Sequence, residues 1–118
     1  MESKDLFITY SKNDIVVIEL PPRMDASVSD GLKELITNNV NNNKFKFVID
    51  FSKTSFIDSS GLGAIVSRIS ICRTKNGDVR LCNVNNRIKE VLNITHLDKI
   101  LKIYNSVDEC LNSFSSNG

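Results

Sequence analysis

Between residues 45 and 73 the chain passes from a dense apolar run into an amphipathic helix through one short polar connection, and this succession restricts the fold more than any other stretch. Phe45, Phe47, Val48, Ile49 and Phe51 make the run, as expected of a central strand covered on at least one face. Leu62, Ile65, Val66, Ile69 and Cys72 then recur at helical spacing, predicting a helix from Leu62 to Arg73. Between them lies Phe56-Ile57-Asp58-Ser59-Ser60-Gly61-Leu62-Gly63. A buried strand, a short connection and a helix place two serine hydroxyls where a helix start exposes unpaired N–H groups and a positive dipole end. Such a position accommodates an added phosphate.

The flanking sequence supplies the remaining layers. Leu6 to Tyr10 and Ile15 to Leu20 read as strands joined by the turn cluster Ser11-Lys12-Asn13-Asp14, a hairpin that Pro21-Pro22 stops. Asp25 to Ser29 is rich in helix-capping residues. Val28, Leu32, Leu35, Ile36 and Val40 continue as one apolar stripe, with the helix ending in the run Asn38-Asn39 and Asn41-Asn42-Asn43. Asn76-Gly77 is expected to stop the helix after Arg73 and Lys75, and Val79 to Val84 reads as a strand. Asn85-Asn86 caps a helix carrying Ile88, Val91 and Leu92; Ile94 to Leu101 is ambiguous. Lys102-Ile103-Tyr104 reads as a short edge strand, Ser106-Val107-Asp108-Glu109 as a capping box opening a last helix, and Ser115 to Gly118 as a fraying tail. The reading is one α/β domain over residues 1–118: a small mixed sheet of about five strands with about four helices, mostly on one face, the opening hairpin antiparallel and the first strand at an edge.

Composition narrows function by exclusion. The 118 residues carry a formal net charge of +1, which makes no strong electrostatic case for nucleic-acid binding. Arg68, Arg73, Lys75, Arg80, Arg87 and Lys89 are scattered without aromatic interleaving and read as a solvated surface. No apolar run approaches a membrane span, and Met1-Glu2-Ser3-Lys4-Asp5 lacks the pattern of a signal peptide. Cys72, Cys82 and Cys110 are far apart in the chain and lack CxxC spacing, so buried reduced thiols in a cytoplasmic protein are expected.

No catalytic constellation emerges. The order Asp-Ser-Ser-Gly-Leu-Gly is not a nucleophile elbow, Gly61-x-Gly63 is too short for a dinucleotide fingerprint, and no P-loop exists. His96 is the one histidine, and nothing in the spacing brings it to Ser59 or Ser60. Asp50 and Asp58 have no matched carboxylate partner implied. No enzyme activity, metal or cofactor is expected.

The serines support two compatible readings. In one, Ser59 or Ser60 caps the helix, for about 1 kcal/mol, and Gly61 and Gly63 permit close packing on the strand. In the other, a phosphoserine adds roughly −1.5 to −2 charges beside Asp58 and disrupts an interface built for a neutral hydroxyl.

The octapeptide Phe56 to Gly63 closely resembles the phosphorylation motif of the anti-sigma factor antagonists, members of the STAS domain family. Met24-Asp25-Ala26, Phe47-Val48-Ile49-Asp50-Phe51, Asn76-Gly77-Asp78 with the strand after it, and the closing segments Val91 to Leu97 and Ser106 to Leu111 are similar to further family elements. The resemblance implies a small mixed sheet with helices on one side. It also implies a cycle in which the unmodified protein binds an anti-sigma factor that is an ATP-using serine kinase and frees a sigma factor. Phosphorylation at Ser59, with Ser60 as a secondary candidate, releases the kinase, and a PP2C-type phosphatase resets the protein. Asp25, Asp58, Ser59, Ser60, Gly61, Leu62 and Gly63 are the implied partner-binding residues. The chain departs from the family at Pro21-Pro22-Arg23, where a glycine is usual, and Arg23 puts a cation beside the implied interface. The alternatives are a STAS subunit of a membrane transport complex, such as a lipid-transport complex, that keeps Ser59 as a cap, and an enzyme using Ser59 with His96.

Overall fold

The computed structural model describes residues 6–115. In chain order the elements are β1 (Ile8–Lys12), β2 (Ile15–Glu19), β3 (Arg23–Met24), α1 (Ala26–Asn41), β4 (Lys46–Asp50), β5 (Phe56–Ile57), α2 (Ser59–Val66), α3 (Ile69–Thr74), β6 (Asp78–Cys82), α4 (Asn86–Ile94), a 3-10 turn (Leu97–Lys99), β7 (Ile103–Tyr104) and α5 (Val107–Ser115). The main sheet has the order β1-β2-β4-β6-β7. β1 is antiparallel to β2, and the other neighbours are parallel, as helical crossovers require. The mixed five-stranded sheet with the first strand at an edge is the architecture expected from the sequence.

Alternation along the strands divides the core between two faces. Val16, Ile18, Phe47, Ile49, Val79 and Leu81 point toward α1, α2, α3 and α4, whose Leu32, Ile36, Leu62, Ile65, Cys72, Ile88 and Leu92 complete the larger core. Ile15, Val17, Val48 and Cys82 face the other way, under Cys110 and Leu111 of α5. Helices therefore cover mostly one face, and α5 alone covers the second.

Several boundaries differ from the expectation, for local reasons. The hairpin turn is only Asn13-Asp14, with Asn13 in the left-handed region at φ 59°, so Ser11 and Lys12 belong to β1. The first helix ends inside the expected asparagine run, at Asn41 with Asn42 as its C-cap. There Asn39 Nδ2 donates to the Leu35 carbonyl at 2.9 Å, and Asn42 Nδ2 donates to that of Asn38 at 3.0 Å. The helix expected from Leu62 to Arg73 starts at Ser59 and is interrupted at Ser67-Arg68. The Ser67 hydroxyl bonds back to the Ala64 carbonyl at 3.3 Å, and Arg68 Nε donates to Thr37 Oγ1 of α1 at 3.0 Å.

At the expected Asn76-Gly77 stop, the left-handed residue is Asn76 (φ 64°). Gly77 serves a different need, since a Cβ there would lie 1.9 Å from the Phe45 carbonyl oxygen. Arg80 is not solvated: its side chain is 14% exposed, pairs with buried Asp78 at 2.9 Å and stacks over Phe114 at 4.2 Å. Asp50 is buried and accepts from the Ser52 N–H at 3.0 Å and from Asn83 Nδ2 at 2.9 Å. The ambiguous stretch after Ile94 holds the 3-10 turn, and Glu109 N donates to Ser106 Oγ at 3.1 Å, the serine half of the expected capping box. All three cysteines are buried and reduced. Beyond Ser115 the expected tail lies outside the described residues.

The element that sequence reading missed is the second sheet. β3 and β5 are two residues each and pair in parallel, Arg23 with Phe56 and Met24 with Ile57. The carbonyl of Pro22 accepts from Ser55 N at 2.9 Å, and that of Pro21 from Thr54 Oγ1 at 2.9 Å. This small ladder leads directly into α1 and α2.

Candidate functional site

The ladder delivers two helix starts side by side, with nearly the same geometry. Asp25 (φ −113°, ψ −172°) caps α1 and Asp58 (φ −109°, ψ −174°) caps α2. An extended residue whose carboxylate accepts from the first turn is the arrangement that satisfies orphan N–H groups and suits the helix dipole. In α1, Ser27 donates its N–H to Asp25 Oδ1 at 3.0 Å and its hydroxyl at 2.6 Å. In α2, Ser60 donates the same pair to Asp58 Oδ1 at 3.0 and 2.6 Å, and the Gly61 N–H adds a bond at 3.1 Å. The two starts are tied together, since Ser29 Oγ and Ser60 Oγ lie 3.1 Å apart.

The capping role expected of Ser59 or Ser60 therefore falls to Asp58, because a carboxylate can accept several donors at once while a hydroxyl must also donate. Its position frees Ser59. The Ser59 side chain is exposed and makes no hydrogen bond with any described residue, whereas the Ser60 hydroxyl is half-buried and engaged. The two adjacent serines thus differ in accessibility and in bonding.

The glycines differ as well. A Cβ on Gly61 would meet the Met24 carbonyl oxygen at 2.6 Å and Ile57 Cγ1 at 2.8 Å, so only glycine lets α2 sit this close to the ladder. Gly63, also expected to pack, faces open space with nothing within 4 Å. It lies one helical turn beyond Ser59 on the same exposed face. Leu62 is 7% exposed and belongs to the larger core. Among the expected contact residues, Ser59 and Gly63 are exposed, Asp25, Asp58 and Ser60 are half-exposed, and Gly61 and Leu62 support them from beneath.

Electrostatics follow from the bonds. The Asp58 carboxyl is held below its ordinary value first by the Ser60 hydroxyl and then by the N–H groups of Gly61, Ser60 and Ala26. The Asp25 carboxyl is held low by the hydroxyl and N–H of Ser27, with the charge of Asp58 opposing. Both groups are ionised at neutral pH, giving two carboxylates at the paired helix starts, with Asp58 next in sequence to the exposed Ser59. Arg23 is the neighbouring cation, 3.6 Å from Asp25 Oδ2 and stacked over the Phe56 ring at 4.3 Å.

The structure brings together both aspartates and both serines named from the sequence and adds Ser29, which couples the helix starts. The repeated Asp-x-Ser spacing of Asp25-Ala26-Ser27 and Asp58-Ser59-Ser60 was the available signal. His96 is exposed in left-handed backbone after α4 and makes no hydrogen bond to either serine. No described helix is long and apolar enough to cross a membrane.

Comparison with known proteins agrees with this architecture. The STAS domain model matches residues 7–110. The chain is 27% identical over 93 residues, 78% of this chain and 80% of the relative, to the anti-sigma F factor antagonist of Paenibacillus polymyxa. Its fold superposes with a TM-score of 0.87 on the crystal structure of a candidate anti-sigma factor antagonist from Thermotoga maritima, at 24% identity over 98% of this chain and 100% of that one. It superposes with a TM-score of 0.72 on the Bacillus cell fate determinant SpoIIAA in its phosphorylated form, at 20% identity over 91% of this chain and 97% of that one. The two structural likenesses are likenesses of fold.

Proposed function

The chain belongs to the STAS domain family, and from that premise we propose that it is an anti-sigma factor antagonist switched by phosphorylation of Ser59. Unmodified, it binds an anti-sigma factor that is also an ATP-using serine kinase, in the cytoplasm, and so frees a sigma factor for transcription. The kinase transfers the γ-phosphoryl group of ATP to Ser59 Oγ, the hydroxyl proton is lost and ADP leaves. A PP2C-type phosphatase hydrolyses the ester and restores the binding form. The protein acts by binding and performs no catalysis of its own. The name of the Paenibacillus relative supports the general role.

The observation that carries the choice of residue is the contrast between the serines: Ser59 is exposed and unbonded, and Ser60 is tied to Asp58 and Ser29. A phosphate on Ser59 sits in the first turn of α2, where the dipole favours an anion, so the fold persists. Its roughly −1.5 to −2 charges join the carboxylates of Asp58 and Asp25. A partner surface that fits a neutral hydroxyl beside the paired, carboxylate-capped helix starts then faces a more strongly anionic surface. Truncating or opposing such an interface costs about 2–5 kcal/mol, enough for release. In this reading Asp25, Asp58, Ser59, Ser60 and Gly63 form the contact surface and Gly61 and Leu62 hold it in place.

The test is mass-spectrometric mapping of phosphate on the protein isolated from its own cells, with and without phosphatase treatment. Phosphate on the peptide's Ser59, absent from Ser59→Ala, supports the proposal. Phosphate confined to Ser60, or absent under every growth condition, contradicts it.

A further inference from the structure

Among the described residues the outer edge of β1 is unpaired. β1 ends the main sheet, all five of its residues are exposed, and no described element pairs with its free side. Edge strands are ordinarily blunted by proline, a bulge or a charge pointing inward. β1 has an unbroken register with β2, contains no proline, and carries one charge, Lys12, at its end. Its exposed apolar side chains are large: Ile8 is 53% and Tyr10 49% exposed.

The register fixes which backbone groups are free. Leu20 N donates to the Asp50 carbonyl, so even-numbered residues of β2 bond toward β4 and odd-numbered ones toward β1. The pairs Lys12–Ile15, Tyr10–Val17 and Ile8–Glu19 are therefore the hydrogen-bonded pairs of the hairpin. The N–H and C=O groups of Thr9 and Ser11, and of Phe7 by the same alternation, point away from the sheet.

We infer that this edge is a self-association surface, on which a second copy of the chain adds its own β1 antiparallel, with Thr9 opposite Thr9 of the second copy at the two-fold axis. In that register Phe7 faces Ser11 of the other copy and Ser11 faces its Phe7, so every outward-pointing backbone group meets another. On the α5 side of the sheet, Ile8 lies against Tyr10 of the other copy, twice by symmetry, a β-branched–aromatic pair of the kind that stabilises sheets. The lysines at position 12 fall at opposite ends, so no like charges oppose. Shifting the register by two residues to centre it on Tyr10 would instead place Lys12 against Ile8 and leave Phe7 opposite the turn residue Asn13. Two short strands bury well under the roughly 1,200 Å² of a stable interface, so the dimer is weak and concentration-dependent. The inference rests on the β1 edge alone and is independent of the role given to Ser59.

Sedimentation equilibrium from about 10 µM to about 1 mM tests it, a range that brackets weak dimers. The parent is expected to shift reversibly from monomer to dimer, and Ile8→Lys, which stays folded because Ile8 is exposed, to weaken the dimer about tenfold. Under mild oxidation Thr9→Cys is expected to form a covalent dimer in high yield, and Ser11→Cys, whose two copies are far apart in this register, to remain uncrosslinked. A parent that stays monomeric throughout, a dimer indifferent to Ile8→Lys, or equal crosslinking by both cysteine variants would overturn the inference.

Discussion

Ser60 donates its hydroxyl to Asp58 at 2.6 Å, and through the same oxygen approaches Ser29 of α1 at 3.1 Å. The contact fastens one serine of an adjacent pair into the junction of two helices and leaves the other, Ser59, open to solvent. Removal of each hydroxyl should therefore have separable effects. Ser60→Ala is expected to lose about 1 kcal/mol of stability, and Ser59→Ala to change it by less than about 0.5 kcal/mol, by urea denaturation.

The two glycines of the motif should respond in opposite senses. Gly61→Ala forces a methyl into the Met24 carbonyl and is expected to destabilise by about 1–3 kcal/mol or to displace α2. Gly63→Ala meets no neighbour and is expected to stabilise by about 0.5–1 kcal/mol through helix propensity. Equal destabilisation by both would refute the packing described here. A Gly63→Ala protein that is stable but impaired in partner binding would place the partner directly on that exposed turn.

Asp58 and Asp25 give stability a defined acid dependence. Each has a folded-state pKa below its ordinary 3.8, so the unfolded chain binds protons more readily. Their contribution is complete above 3.8 and is lost as pH falls through the lower folded values. Thermal melts from pH 6 to pH 2, with the pH range set by ordinary carboxylate titration at about 4, should show the parent declining in that window. Asp58→Asn should start lower and decline less steeply. A variant with the parent's slope would mean that Asp58 does not carry the charge of the cap.

The three thiols should be silent in the native protein. Burial, followed by the charge of Asp78, pushes Cys72 up to about 11, and a hydrogen bond to Cys110 together with burial pushes Cys82 up. Thiol-disulfide reagents at neutral pH are expected to label none of the cysteines until denaturant is added, since the thiolate is the reactive form. Fast labelling of Cys82 or Cys110 in the folded protein would contradict the packing of α5 on β6, and fast labelling of Cys72 that of α3 on the larger core.

The main layers were legible because apolar spacing marks them directly: Phe47 and Ile49 against one face, Val48 against the other, and the stripe of α1. What escaped reading depended on contacts between distant segments. β3 and β5 are too short to show a period, and their pairing is set by the carbonyls of Pro21 and Pro22. The break at Ser67-Arg68 depends on a tie from Arg68 to Thr37, and the burial of Arg80 depends on Asp78 and Phe114. At the site, residue types were visible but roles were not. Whether Asp58 or a serine caps α2 is decided by which side chain the ladder leaves extended at the helix start.

The central claim, that charge on Ser59 switches a partner off, is tested most directly by affinity capture from native lysate with parent, Ser59→Ala and Ser59→Asp baits, read by mass spectrometry. The account predicts one ATP-binding serine kinase held by the parent and by Ser59→Ala, released by ATP from the parent only, and lost from Ser59→Asp. The same kinase held equally by all three baits, or transport subunits held by all three, would contradict it and leave Ser59 as an exposed residue of a capped helix.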